Sequence, residues 1–193
     1  MKIAVIIQAR LGSKRFPGKI LKKINHRYLI EILVERLMLT KVKHDIILAI
    51  PKSKKNDKIP KILKTRKVKY FRGSEKNVLK RYYDAATKFK ADLIIRVTSD
   101  NPLICPDIVD LLISKFKKLK NIDYMTNAFS KSYPLGLGVE LFSYEALEKI
   151  YKSNHSKIDK EHVTTFIRRN KNFKSYYYKL KKKKYNKIRL TVD

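Results

Sequence analysis

The chain has 193 residues, with 47 lysines and arginines against 17 aspartates and glutamates, a formal net charge of +30 and a single cysteine, Cys105. That length suits one α/β domain with a sizeable core and leaves little room for two. One cysteine excludes an internal disulfide framework, which fits a reducing compartment and an expected cytoplasmic location. No apolar run approaches the roughly 20 residues that span a bilayer, so no membrane association is expected. The apolar start, residues 1–7, is cut short by Gln8 and Arg10 without a cleavage site, and reads as a buried strand rather than a signal peptide.

Residues 2–8 are a continuous apolar strand, followed by a glycine-containing loop and a helix near 28–39 with Leu29, Ile32, Leu33 and Leu37 on one face. Asp45 to Ile50 reads as a second buried strand, a lysine-rich helix near 54–65 follows, and a short strand runs over 68–71. Ser74 is the expected cap of a helix over 75–90 with the stripe Val78, Leu79, Tyr82, Ala86 and Phe89. Residues 93–98 are another strand, and Pro106 opens a helix carrying Ile108, Val109, Leu112, Ile113 and Phe116. Beyond it the spacing predicts strands at 123–126, 138–142, 173–180 and 188–192, and helices at 144–152 and 159–169. The βαβα order argues for an α/β fold with a mostly parallel sheet covered on both faces. Lys181 to Lys184 reads as a solvated turn.

The positive charge has two readings. It is either a polyanion-binding surface or a solvated face set by composition. The lysines spread over most helices and loops instead of forming one stripe, which favours the second, with weak non-specific nucleic-acid binding at low salt under either.

The first constellation with chemistry is Gln8-Ala9-Arg10-Leu11-Gly12-Ser13-Lys14-Arg15-Phe16-Pro17-Gly18-Lys19. It begins where the first strand ends, the place where open α/β sheets bind ligands. Gly12 and Gly18 admit close backbone approach, Ser13 offers an N–H and a hydroxyl, and Arg10, Arg15 and Lys19 gather cations around the turn. Together these suit a triphosphate, the other reading being a surface turn with basic residues as elsewhere in this lysine-rich chain; the arginines, bidentate phosphate binders, favour the first. The loop matches neither the GxxxxGK[ST] nor the GxGxxG pattern. The second constellation, Arg96-Val97-Thr98-Ser99-Asp100-Asn101-Pro102-Leu103, also follows a strand, and Asp100 is a candidate ligand for Mg²⁺. Its other reading is an ordinary turn aspartate.

The pattern QARxGSxRxPGK, then FRGSExxVLxRYY, then D-x-PL, YPxGLxVExFS, EHVT and RLTVD, resembles the cytidylyltransferase family of CMP-sugar synthetases. The branch it resembles is the spore-coat polysaccharide type, related to the acylneuraminate and KDO enzymes. The resemblance implies a Rossmann-like nucleotide-diphospho-sugar-transferase fold, and a reaction that moves CMP from CTP to an acidic or modified sugar with release of pyrophosphate. Mg²⁺ is the implied cofactor and a homodimer the implied assembly. By resemblance, Ala9, Arg10, Gly12, Ser13, Arg15, Lys19 and Thr98 contact the nucleotide. Arg10, Lys19 and Asp100 carry the chemistry, and Asp100 and Asp193 hold the metal. Glu75, Glu140 and His162 fall in segments on the sugar side. Thr98 is equally a strand-end threonine, and Glu140 and His162 are equally hydrogen-bonded structural residues. Arg81 lies more than a helical turn past Glu75, and a surface position is one reading of it.

Three departures stand out: Gly138 where relatives often carry an acid, Ser99 and Asn101 around Asp100, and a sequence that ends at Asp193 where relatives continue into further helices. The expected organisation is a single domain over 1–193 without those helices. The competing expectations are a catalytically weakened nucleotide-sugar-binding remnant and a lysine-rich polyanion-binding protein.

Overall fold

A computed structural model of the chain describes residues 1–13, 16–129, 132–180, 185 and 187–192. Arg15, Asp193 and the run Lys181 to Lys184 therefore lie outside the described residues.

Strand β1 (Ile3–Gln8) is apolar along its length because both its faces are covered. A hairpin follows, β2 (Lys23–Ile24) against β3 (Arg27–Tyr28). Its two turn residues, Asn25 and His26, have φ of 46° and 66°, the left-handed pair that a tight two-residue hairpin needs. Helix α1 (Leu29–Met38) buries Leu29, Ile30, Leu33, Val34 and Leu37, while Ile32 stays half-buried at the border of that stripe. Strand β4 (Asp45–Pro51) leads into a 3-10 turn over Lys54–Asp57 and then helix α2 (Lys58–Ile62). A single helix over 54–65 was the expectation. Pro60 has no N–H to donate and is tolerated only in a first turn, so the α-helix starts close before it.

Strand β5 (Lys69–Gly73) precedes helix α3 (Val78–Phe89). The cap of α3 is Asn77, whose side chain accepts from the Lys80 N–H at 2.8 Å, not Ser74. Ser74 acts one turn earlier, accepting from the Asn77 N–H at 3.0 Å. Next come β6 (Leu93–Thr98), α4 (Pro106–Lys118), β7 (Tyr124–Thr126), β8 (Glu140–Ser143) and α5 (Tyr144–Lys152). The helix expected over 159–169 is broken in two, α6 (Lys157–His162) and α7 (Thr165–Arg169), at Val163, which has φ 60° and ψ −55°. The last predicted strands shrink to β9 (Ser175–Tyr177) and to a single bridge between Leu135 and Arg189.

Among the described residues one seven-stranded sheet has the order β5-β4-β1-β6-β8-β7-β9. It is parallel except at β8, which runs antiparallel to both β6 and β7. Alternate residues feed two cores. Val5, Ile7, Leu48, Ile95 and Val97 pack under α1, α2 and α4, while Ala4, Ile6, Ile47, Ala49 and Ile94 pack under α3, α5 and α7. The register pairs Gln8 at the end of β1 with Thr98 at the end of β6. The two loops singled out in the sequence therefore leave the sheet side by side, and the Ser99 N–H donates to the Gln8 carbonyl at 3.3 Å.

Candidate active site

The phosphate-type loop is pinned at Leu11. Its N–H donates to Asn56 Oδ1 at 3.0 Å, and its carbonyl accepts from the Gly18 N–H at 3.1 Å. Asn56 is fully buried on the 3-10 turn after β4, and its own amide donates back to the Ser53 carbonyl at 3.3 Å. Gly18 has φ 66°, a left-handed value that a side chain would strain, and its N–H closes the loop. The loop's shape is thus set from the neighbouring strand connection, before any ligand arrives.

Beyond the ends of β1 and β6 lies a cavity of about 590 Å³, lined among others by Ala9, Arg10, Ser13, Lys19, Thr98 and Asp100. The predicted nucleotide contacts among the described residues are thereby brought to one place, except Gly12, which sits beside the loop with Lys55 Nζ 3.4 Å from where a Cβ would stand. Lys19 Nζ lies 3.2 Å from Asp100 Oδ2, and Arg10 lies 3.8 Å from Glu161. His162, expected on the sugar side, lines this same cavity. Glu75 does not line it. It pairs with Lys55 at 3.1 Å, next to the phosphate loop.

Arg81 is not a surface residue: it is 1% exposed and lines the cavity. Its guanidinium donates to the Ser74 carbonyl at 2.5 Å. Burial, and after it the charge of Arg10, pull its pKa down to about 10. The available signal was its place in the apolar stripe of α3, between Val78 and Ala85. Arg96, to which the sequence assigns no role, lies on a wall shared by the first cavity and a second of about 190 Å³. The second cavity is edged by Phe129, Tyr133, Leu135, Gly138 and Glu140. At Gly138 an added Cβ would lie 2.8 Å from the Ala128 Cβ, so any larger residue there requires the Ala128 segment to shift.

Glu140 is buried with its acceptors taken. Arg96 donates to one oxygen, while the Tyr124 hydroxyl at 2.5 Å and the Thr164 hydroxyl at 2.7 Å donate to the other. Burial works to raise the Glu140 pKa, but the Arg96 charge and these hydrogen bonds outweigh it and hold the carboxyl below its ordinary value. Val163, just before Thr164, is a β-branched residue in a positive-φ γ-turn closed by the Thr164 N–H on the His162 carbonyl at 2.6 Å. Such a residue stores on the order of 1–3 kcal/mol of strain, of the kind that clusters at functional sites.

For a divalent cation the donor set is sparse. Among the described residues no group of three His, Cys, Asp or Glu side chains converges. Asp100 nevertheless fits Mg²⁺, which takes one or two carboxylates and fills its remaining positions with phosphate oxygens and water. Its carboxylate lines the cavity, with Lys19 as its ion-pair partner. Its carbonyl accepts from the Val192 N–H at 2.9 Å, which ties the residue before Asp193 to the same place.

A mostly parallel sheet with a basic, glycine-containing loop and an acid at the ends of adjacent strands is an arrangement that suits a nucleotidyltransferase. The comparisons agree. A cytidylyltransferase profile matches residues 4–190. An uncharacterized protein of Methanocaldococcus jannaschii is 42% identical over 196 residues, covering 100% of this chain and 79% of that protein. The spore coat polysaccharide biosynthesis protein SpsF of Bacillus subtilis is 32% identical over 180 residues, covering 86% of this chain and 70% of that protein. The structure of a cytidylyltransferase from Leptospira borgpetersenii superposes with a TM-score of 0.94 at 32% identity, covering 100% of this chain and 82% of that one. The chain belongs to the cytidylyltransferase family. Among the described residues no helix is long and apolar enough to cross a membrane.

Proposed function

We propose that this protein transfers CMP from CTP to a sugar hydroxyl, releasing pyrophosphate, and that the product serves surface polysaccharide or glycan synthesis. The observation that carries the reading is the joining of Arg10, Ser13, Lys19 and Asp100 on one cavity at the ends of β1 and β6. The loop cations offset the triphosphate charge, and Ser13 offers donors to its oxygens. The sugar occupies the second cavity, so that its hydroxyl meets the α-phosphorus near the wall formed by Arg96 and Thr98. The hydroxyl attacks in line and gives up its proton to solvent, the bond from the α-phosphorus to the α–β bridging oxygen breaks, and Arg10 and Lys19 stabilise the charge on the departing pyrophosphate. Asp100, and by resemblance Asp193, would hold Mg²⁺, which would supply charge neutralisation for the triphosphate. The enzyme works in the cytoplasm as a homodimer.

The test is thermal stabilisation by CTP, ATP, GTP and UTP with and without Mg²⁺. Pyrophosphate release is then measured with CTP and either 3-deoxy-manno-octulosonate or N-acetylneuraminate. A CTP-specific, Mg²⁺-dependent shift is expected, together with pyrophosphate release for an accepted sugar. Asp100→Ala should lose turnover and metal dependence while keeping its melting temperature; near-normal activity would remove Asp100 from the metal site. Stabilisation without turnover for any sugar would favour a remnant that only binds.

A further inference from the structure

Glu140 sits directly opposite Arg96 across the β6–β8 pair, so the two side chains meet as cross-strand neighbours. Their side chains are only 6% and 13% exposed. A buried ion pair is a weak source of stability, because desolvation offsets the attraction. What it supplies instead is a fixed place for the guanidinium. From there Arg96 Nη2 also reaches Gln8 Oε1 at 3.3 Å, and Gln8 lines the larger cavity.

The other oxygen of Glu140 faces a different element. The Thr164 hydroxyl donates to it at 2.7 Å, and Thr164 is the residue whose N–H closes the strained turn on His162. Val163, at the centre of that turn, is buried in the second core, so its backbone is held in an unfavourable conformation from both sides. His162, immediately before it, lines the larger cavity. One carboxylate therefore touches both the strand that carries Arg96 and the turn that carries His162.

We propose that Glu140 is a positioning residue that aligns the two sides of the reaction centre. With one oxygen it fixes Arg96 on the wall between the cavities, and with the other, through Thr164, it holds the turn that delivers His162. The inference rests on the assignment of the larger cavity to the nucleotide and the smaller to the sugar. Neither Glu140 nor Thr164 needs to touch a substrate. Their effect is on where Arg96 and His162 stand when the hydroxyl approaches the α-phosphorus, and displacement of groups there costs rate more than nucleotide affinity.

The experiment compares wild type with Thr164→Val, Thr164→Ser and Glu140→Gln. Thr164→Val keeps the shape and removes the hydroxyl. Thr164→Ser restores a hydroxyl, and Glu140→Gln keeps an acceptor oxygen but removes the negative charge that faces Arg96. Histidine-ring NMR signals are followed with and without CTP, with His162 assigned through His162→Gln. Steady-state pyrophosphate release is measured with CTP and whichever of 3-deoxy-manno-octulosonate and N-acetylneuraminate the wild type accepts. In Thr164→Val the His162 ring signals should move in the ligand-free protein and lose their response to CTP, and Thr164→Ser should restore both. In Thr164→Val and Glu140→Gln, kcat should fall roughly ten-fold or more, with KM for CTP held within about two-fold.

His162 signals in Thr164→Val that coincide with those of the wild type would overturn the proposal, as would a rate loss no larger than the loss of folded protein. Should the wild type give neither a CTP response nor pyrophosphate, the nucleotidyl-transfer reading fails on its own. The ligand-free comparison of Thr164→Val with Thr164→Ser still decides whether the tether sets His162.

Discussion

At the scale of single residues, the side chains that shape the site are not those with the loudest sequence signal. Arg10, Ser13, Lys19 and Asp100 were legible because they stand in loops that follow apolar strands, where ligand chemistry is expected. Asn56 was not, being one asparagine in a lysine-rich stretch; its role exists only because the β4–β5 connection reaches the loop after β1 and meets Leu11. Asn56→Ala leaves the Leu11 N–H without a buried partner, at a cost of about 1–3 kcal/mol. The expected result is a lower melting temperature and a CTP affinity reduced by roughly ten-fold, measured by calorimetry. Glu140 supports a prediction on pH. Its folded pKa lies below the ordinary value of 4.5, so the unfolded chain binds its proton more readily. Its stabilising contribution is complete above that value and declines as pH falls through the lower, folded value. Denaturant midpoints from neutral pH into that acid range should therefore fall less steeply in Glu140→Gln than in wild type.

At the scale of elements, buried parallel strands announce themselves as unbroken apolar runs, and β1, β4 and β6 lay where the sequence put them. The β2–β3 hairpin did not, because two-residue strands carry no period to read. The start of α3 shows how close two capping residues can stand. Ser74 and Asn77 both bind backbone N–H groups, but Asn77 is the one at the first helical turn. Asn77→Ala should cost about 1 kcal/mol, seen as a lowered denaturation midpoint. The break at Val163 has no composition signal either. Nothing in Glu161-His162-Val163-Thr164 marks a helix end, and the turn exists because the surrounding core and the Glu140 tether hold it.

At the scale of the whole molecule, the net charge of +30 remains a property of the surface more than of the site. The cavity uses a handful of cations, and most of the 47 lysines and arginines lie elsewhere. Self-repulsion of that size should weaken the folded state at low salt. Melting temperature is expected to rise as sodium chloride goes from about 0.01 M, where the screening length is about 30 Å, to about 0.1 M, where it is about 10 Å. Over the same range any binding to RNA should fall steeply, following the release of counterions. The strand order has a further consequence, for the protein while it is being made. Synthesis delivers β1 before any of its partners, yet β1 lies inside the sheet between β4 and β6. A nascent chain must shelter that greasy strand until residue 45 emerges to cover one edge and residue 93 to cover the other. A ribosome that stalls between those two points would leave a half-clad strand open to neighbouring chains, and rare codons in that interval would be poorly tolerated.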